Sequence, residues 1–348
     1  MKFKTYISAK FSLFIKTIIN LKNKVIYYPL LNIILILKKF KVNRLSNDSI
    51  TIFFSHKFRS KKLPSQEKQF RKILEKKNIK VIDFFYESNF INNFNSLIQI
   101  INYKKINIIL SSWGNNKPPY NFFLNYLKKI SSTKIFTIVY DSCHRDIEKS
   151  LFKFSDHFII ADNPRKNFIS KKLISKSINL NPIALEVPIR FYDLNSRDYI
   201  FNFIGQTNSY RKYREKFIKN LKGNFSNFFI STSDSSSQNI SNYDYYNIIS
   251  KSLMTINFSY SIHSHQLKAR TWEGILSGSL MIESRNDQSS MYFNENNEII
   301  FFDCIDSLID KIKYFNNNKN EAIEIALNAQ KKAIDILNIQ IKNFHEIY

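Results

Sequence analysis

Arg270 and Glu273 stand three residues apart in the segment QLKARTWEGILSGSLMIE, residues 266–283. On a helix that spacing puts a guanidinium and a carboxylate on one edge. A carboxylate so placed accepts hydrogen bonds from the vicinal hydroxyls of a polyol, and the guanidinium holds a phosphate. The same spacing fits an intrahelical ion pair on a solvated face equally well. A helix beginning near residue 264 stacks Gln266, Arg270, Glu273 and Ser277 into a polar stripe, with Leu267, Trp272, Ile275 and Leu276 on the broad opposite side. Gly278 follows where a helix end favours positive φ, and residues 280–282 then read as a short buried strand. Two of the five glycines of the 348-residue chain fall in this one segment, which marks a backbone requirement there.

A second group of residues ends the strand-like run FNFIG, where Gly205 is followed by Gln206, Thr207, Arg211 and Arg214. Glycine at the carboxyl end of a strand lets a ligand approach the backbone, and the helix after it offers its first amides to phosphate. Neither a GxGxxG fingerprint nor a Walker loop is present, and Arg211 and Arg214 also fit a solvated helix face. Earlier in the chain, Asp141 and His144 follow the apolar run IFTIVY. Either of them is suited to deprotonate an acceptor hydroxyl, while a helix N-cap and a surface histidine are the structural alternatives. Trp113 ends the preceding strand-like run and is suited to stack on a sugar ring or simply to be buried. His263 and His265 form a pair without a third ligand nearby, and no Asp-x-Asp occurs, so the expectation is no metal and no cofactor beyond a co-substrate.

The elements that would position these residues alternate along the chain. Strands are expected at 50–55, 79–84, 106–110, 134–140 and 157–161, with helices at 65–77, 90–103 and 119–130 between them. Prolines at 182 and 188 break the pattern. It resumes with strands at 199–204, 227–231, 253–258, 280–283 and 298–301, and helices at 211–221, 243–250, 264–277, 305–315 and 321–341. Alternation of this kind predicts an α/β fold with two Rossmann-like domains of parallel sheet, whose ligands bind beyond the carboxyl ends of the strands in a central cleft. The expected divisions are a basic amphipathic, helical N-terminal extension over 1–45, a first α/β domain over 46–180, a linker over 181–198 and a second α/β domain over 199–348 with a C-terminal helix. The polar, serine-rich stretch 231–241 reads as a loop.

Apolar residues make up 44% of the chain, with 32 Phe and 19 Tyr, so the chain is globular rather than disordered. The net charge is +24, and residues 1–80 carry +17 of it, with 20 Lys/Arg against 3 Asp/Glu. A field concentrated in this way favours an anionic surface, whether phospholipid, nucleic acid or glycan. The apolar run 25–37 is interrupted by Pro29 and Asn32 and falls short of the roughly 20 residues that span a bilayer, so an interfacial or packed helix is expected. Two cysteines, Cys143 and Cys304, form no framework and suit a reducing cytoplasm. No helix-turn-helix or zinc module accompanies the basicity, which argues against nucleic acid.

Four blocks in order, FIGQTNSYRKYREKFIKNL, YYNIISKSLMTINFS, QLKARTWEGILSGSLMIE and FNENNEIIFFDCIDSLIDKIKYF, resemble the C-terminal domain of GT-B glycosyltransferases. The group with the spore-maturation protein CgeB is the most similar, and the resemblance covers roughly residues 199–335. It rests on Gln266, Lys268, Arg270, Trp272, Glu273 and Gly278, and on residues 298–302. The resemblance implies that Glu273, five residues before Gly278, holds the ribose of a nucleotide-sugar donor. It also implies a retaining reaction. An acid eight residues before Glu273 belongs to the family's pattern, and this chain has His265 there, which puts that acid's role in doubt.

The expected activity is therefore metal-independent glycosyl transfer from a nucleotide sugar to a glycan, lipid-linked glycan or protein. Gly205, Gln206, Arg214, His265, Gln266, Lys268, Arg270, Glu273 and Gly278 are the expected donor-binding residues. Arg270 offsets charge on the leaving diphosphate, and Asp141 or His144 serves the acceptor. The chain is expected in the cytoplasm, with residues 1–80 against the inner face of the membrane. A sugar- or nucleotide-binding homologue without catalysis, and less readily a nucleic-acid-binding protein, are the other readings.

Overall fold

A computed structural model describes residues 49–55, 65–85, 105–111, 132–139, 155–161, 175–181, 187–191, 193, 196–207, 211–232, 240–259 and 267–348. The expected extension over 1–45, the helices at 90–103 and 119–130, and Trp113, Asp141, His144, His263, His265 and Gln266 lie outside these residues.

Two sheets organise the chain, as the alternating pattern requires. The first contains β1 (Ser49–Ser55), β2 (Lys80–Phe85), β3 (Lys105–Ser111), β4 (Lys134–Val139), β5 (His157–Ile160) and β6 (Ser177–Asn179), in the order β2-β1-β3-β4-β5-β6. The helix α1 (Ser65–Glu75) joins β1 to β2, and β1 runs parallel to both β2 and β3. Runs such as Ile106, Ile108 and Ile109, and Ile135, Phe136 and Ile138, are fully or almost fully buried, which suits strands covered on both faces. Strand β6 has three residues next to prolines, too short for a periodic signal, and the sequence pattern gave no warning of it.

The second sheet has the order β11-β10-β9-β7-β8, from β7 (Tyr199–Gly205), β8 (Phe228–Thr232), β9 (Ser252–Asn257), β10 (Leu280–Ser284) and β11 (Ile300–Phe302). All its pairings are parallel. The helices are α2 (Tyr213–Asn224), α3 (Asn242–Ser250), α4 (Ala269–Leu276), α5 (Ile305–Asn317) and α6 (Lys319–Ile347). Strand alternation divides the core into two layers. Leu280, Ile282, Ile300 and Phe302 join Phe201, Phe203, Leu308 and Ile312 on one face. Met281 and Phe301 turn the other way, into a cluster with Trp272, Ile275, Leu276, Ala329 and Ala333. The apolar side expected for the 264–277 helix is the side found against the sheet. Ser277, expected on the wet stripe, is instead fully buried, because the turn at Gly278 folds the chain directly back into β10.

The two glycines of this segment serve different needs. A Cβ on Gly274 would meet Met281 and Thr255, so its absence lets α4 sit close against β9 and β10. Gly278 has φ +77°, and a Cβ there would lie 2.6 Å from the Arg190 carbonyl. The residues around it are fastened by polar side chains. Gln330 of α6 donates to the carbonyls of Arg190 (2.8 Å) and Leu276 (2.7 Å). Arg197 donates to those of Ser250 (2.6 Å), Ser252 (2.9 Å) and Gly278 (2.7 Å), and burial brings its pKa down to about 10. Gly223, by contrast, is exposed on α2 with open space where a Cβ would go. Gly278→Ala is accordingly expected to lower stability by more than about 1 kcal/mol, through the left-handed backbone and the carbonyl clash. Gly223→Ala should raise it by about 0.5 kcal/mol. Thermal unfolding of the two variants beside the wild type checks both signs.

Candidate active site

The strand order β8-β7-β9 reverses direction at β7: the chain leaves β7 for β8 on one side and returns to β9 on the other. Connections diverge at such a point, and the carboxyl ends of the two central strands are left open to a ligand. Here those ends are Gly205 with Gln206 after β7, and Phe258 with Ser259 after β9.

Arg214, from the first turn of α2, spans the switch point. It is 6% exposed, and its Nη1 donates to the Gln206 carbonyl (3.1 Å) and its Nη2 to that of Phe258 (2.9 Å). The guanidinium also lies over the rings of Phe258 (5.6 Å) and Tyr213 (5.7 Å). A solvated helix face is therefore not its environment. Burial lowers its pKa, and the neighbouring cations Arg270 and Arg211 act in the same direction. Arg211 donates to the side-chain oxygen of Gln206. Three guanidinium groups thus gather at one sheet edge, which makes it a place for an anion.

Gly205 makes room for a protein side chain rather than opening only onto a ligand. A Cβ on it would lie 2.8 Å from Arg270 Nη1 and 3.2 Å from Nη2. The Arg270 guanidinium crosses the end of β7 in that gap, 5.5 Å from the centre of the Phe203 ring. Its Nε is buried without a hydrogen-bond partner. One turn on, Glu273 is half-buried and accepts at Oε2 from the Tyr245 hydroxyl. The Arg270 charge acts on that hydroxyl in the opposite sense to Glu273. Burial, followed by the nearby Glu273 charge, pushes the Tyr245 pKa far above the ordinary phenol value, so it stays protonated. Lys268, half-buried, occupies the N-cap position of α4 without a side-chain capping bond. Of the donor-binding residues expected from sequence, Gly205, Gln206, Arg214, Lys268, Arg270 and Glu273 therefore converge near the start of α4. Gly278 does not: it terminates the same eight-residue helix, about 12 Å along its axis. Tyr245 carries no sequence signal, since it is one of several tyrosines in NYDYYN.

Glu283 is a second acid that the sequence reading did not single out. It ends an otherwise apolar strand and is fully buried. Its Oε1 accepts from Asn257 Nδ2 (2.6 Å), from Thr271 Oγ1 (2.8 Å) and from the Ser259 hydroxyl. The carboxyl end of β9 and the first turn of α4 are thereby tied to β10. Burial raises its pKa, against the opposing effect of hydrogen bonds from Ser259, Ser289, Thr271 and Asn257. Among the described residues no group of three or more His, Cys, Asp or Glu could hold a metal ion. Cys304 is a free, exposed thiol.

Residues 198–336 match the family described as glycosyl transferase-like. Among solved structures, a glycosyltransferase from Rickettsia africae ESF-5 is 17% identical over 87% of this chain and 98% of its own, with a TM-score of 0.51. Sucrose-phosphate synthase from Thermosynechococcus elongatus is 9% identical over 86% and 98%, with a TM-score of 0.59. HepE from Anabaena, solved in complex with UDP and glucose, is 10% identical over 86% and 100%, with a TM-score of 0.54. No curated protein matches the chain. The likeness to these structures is one of fold, parallel α/β sheets of the GT-B kind.

The buried acid Glu283 provides a pH test. Below the ordinary glutamate pKa of about 4.3, Glu283 is protonated whether folded or unfolded. As the pH rises from there, the unfolded chain releases the proton first, so stability falls until the raised native pKa is passed. Glu283→Gln keeps the carbonyl acceptor and loses the titration. The melting temperature of this variant is expected to gain on that of wild type between pH 5 and pH 8. A difference that stays constant over that range would mean that the acid is ionised in the native state throughout.

Proposed function

We propose that the chain transfers a sugar from a nucleotide sugar to an acceptor hydroxyl, with the donor seated at the carboxyl ends of β7 and β9. The observation that carries this reading is the pairing of a half-buried carboxylate, Glu273, with the Arg270 guanidinium one turn earlier on α4, at the switch point of a glycosyl transferase-like domain. The carboxylate takes the ribose hydroxyls, and the cations beside it take the diphosphate. In the reaction the bond from the anomeric carbon to the diphosphate oxygen breaks, and the acceptor oxygen bonds to that carbon while its proton passes to a base. Negative charge grows on the leaving diphosphate. Arg270, with Arg211 and Lys268 nearby, is of the right sign to stabilise it without a metal ion. Asp141 and His144 are the bases proposed for the acceptor, and retention of configuration follows the family resemblance. The HepE complex with UDP and glucose supports a uridine donor as the first to try.

The acceptor is a glycan, a lipid-linked glycan or a protein, and surface polysaccharide synthesis accommodates each. Residues 1–80, at +17, dock the enzyme on the anionic inner face of the membrane. Among the described residues no helix is long and apolar enough to cross a bilayer. His265, standing where the family pattern has its first acid, favours a second reading in which donor is bound without turnover.

Wild type is expected to be stabilised against heat by UDP or UDP-glucose. Glu273→Ala should weaken binding about 10- to 100-fold, the effect of losing a charged hydrogen-bond partner. Donor binding with neither hydrolysis nor transfer would select the second reading. For the membrane, the full chain should sediment with vesicles containing phosphatidylserine at 0.1 M salt and be released at about 0.5 M. Equal sedimentation with neutral vesicles would remove the electrostatic docking.

A further inference from the structure

The second domain divides its charge unevenly. Residues 211–224, which include the whole of α2, hold six Lys/Arg against one Glu, whereas residues 225–348 hold ten against fourteen Asp/Glu. The abundance of lysine in the chain at large therefore does not account for α2. The buried side of this helix, Arg214, Ile218 and Leu221, faces the core. On the opposite side Lys212, at the N-cap, is followed by Lys216, Lys219 and Lys222, all four exposed. Steps of four, three and three residues keep them on one outward face, about 15 Å long. Glu215 is the only acid on that face, and among the described residues none of the four lysines has an ion-pair partner. Like charges at these spacings repel one another, and a cation at the amino end opposes the helix dipole. The face thus costs stability unless something anionic lies against it.

Shape and residue type decide what fits there. The outward face of a single helix is convex, and no large apolar side chain of α2 is exposed. It lacks the aromatic platforms on which single-stranded nucleic acid stacks, and the aromatic anchors of a protein interface, where lysine is depleted. Lysines are flexible point charges, suited to a layer of mobile phosphates more than to bidentate recognition of one group. We propose that the outward face of α2 is a membrane-docking surface, holding a bilayer rich in anionic phospholipid through Lys212, Lys216, Lys219 and Lys222. Each lysine brought to such a surface favours the bound state roughly fivefold. This surface lies in the second domain, apart in sequence from the basic residues 1–80, and its action requires neither donor nor turnover.

The test compares two variants of the full chain with equal net charge. One carries Lys212→Gln, Lys216→Gln and Lys219→Gln; the other carries Lys319→Gln, Lys331→Gln and Lys342→Gln, three exposed positions of α6. Each is sedimented beside wild type with vesicles of phosphatidylserine and phosphatidylcholine at about 0.1 M salt. The α2 variant is expected to partition at least about tenfold more weakly. Its melting temperature should be unchanged or slightly higher, because like charges have been removed. The α6 variant should stay within about twofold of wild type, since charges beyond a Debye length from the bilayer are screened. Equal losses in the two variants would mean that net charge, not this face, sets the binding, and would overturn the proposal. So would an α2 variant that partitions as wild type does, or a wild type that does not bind the vesicles. Loss of heparin binding by the α2 variant with vesicle binding intact would assign the face to a soluble polyanion and overturn the membrane.

Discussion

The guanidinium of Arg270 lies where a side chain on residue 205 would be, and the arrangement of the site follows from that contact. Any Cβ at Gly205 would come within 3 Å of it, so the strand end and the helix start approach each other only because one of them is a glycine. The phenyl ring of Phe203 supports the cation from below. One turn on along α4, Glu273 accepts from the hydroxyl of Tyr245. Arg214, deeper in the same edge, closes the loop after β7 onto the end of β9. The result is a concentration of positive charge at the open end of a sheet, with a single half-buried acid among the cations.

Two glutamates ten residues apart show how environment divides roles. Glu273 and Glu283 belong to one helix–turn–strand unit, yet burial is complete for only one of them. Glu283 accepts three hydrogen bonds on one oxygen in a site that disfavours charge, and its part is to hold β9, β10 and α4 in register. Glu273 keeps contact with solvent and accepts from the Tyr245 hydroxyl.

Much of the second domain was legible in the sequence, because its strands are apolar runs punctuated by helices of clear periodicity. The expected strand at 280–283 is Leu280–Ser284, and the expected helix at 305–315 is Ile305–Asn317. Gly278 was readable as a left-handed turn for the same local reason. Roles that depend on distant partners were not readable. Arg214 had the spacing of a solvated residue, and only the meeting of two strand ends, 52 residues apart, shows it to be buried. Gly205 reads in sequence as a place where a ligand approaches the backbone, and what approaches it in the structure is the side chain of Arg270, 65 positions away. Tyr245 and Glu283 had no local pattern at all: one is a tyrosine among tyrosines, the other the last acid of a strand.

The two clamping arginines of this domain also show why chemistry belongs at one end of the sheet. Arg197 ties the amino end of β9 to the turn before β10 through three backbone carbonyls, and Arg214 ties the carboxyl ends of β7 and β9 through two. Arg214 is buried and Arg197 half-buried, and the hydrogen bonds of both go to carbonyl oxygens. At the amino end the Arg197 guanidinium is enclosed by the backbone it binds, together with the ring of Phe191. At the carboxyl end the field of Arg214 is joined by Arg211 and Arg270, and the acid of Glu273 stands beside them. Among the described residues, the asymmetry of the clamps thus gathers positive charge at the carboxyl end of the sheet and encloses it at the amino end.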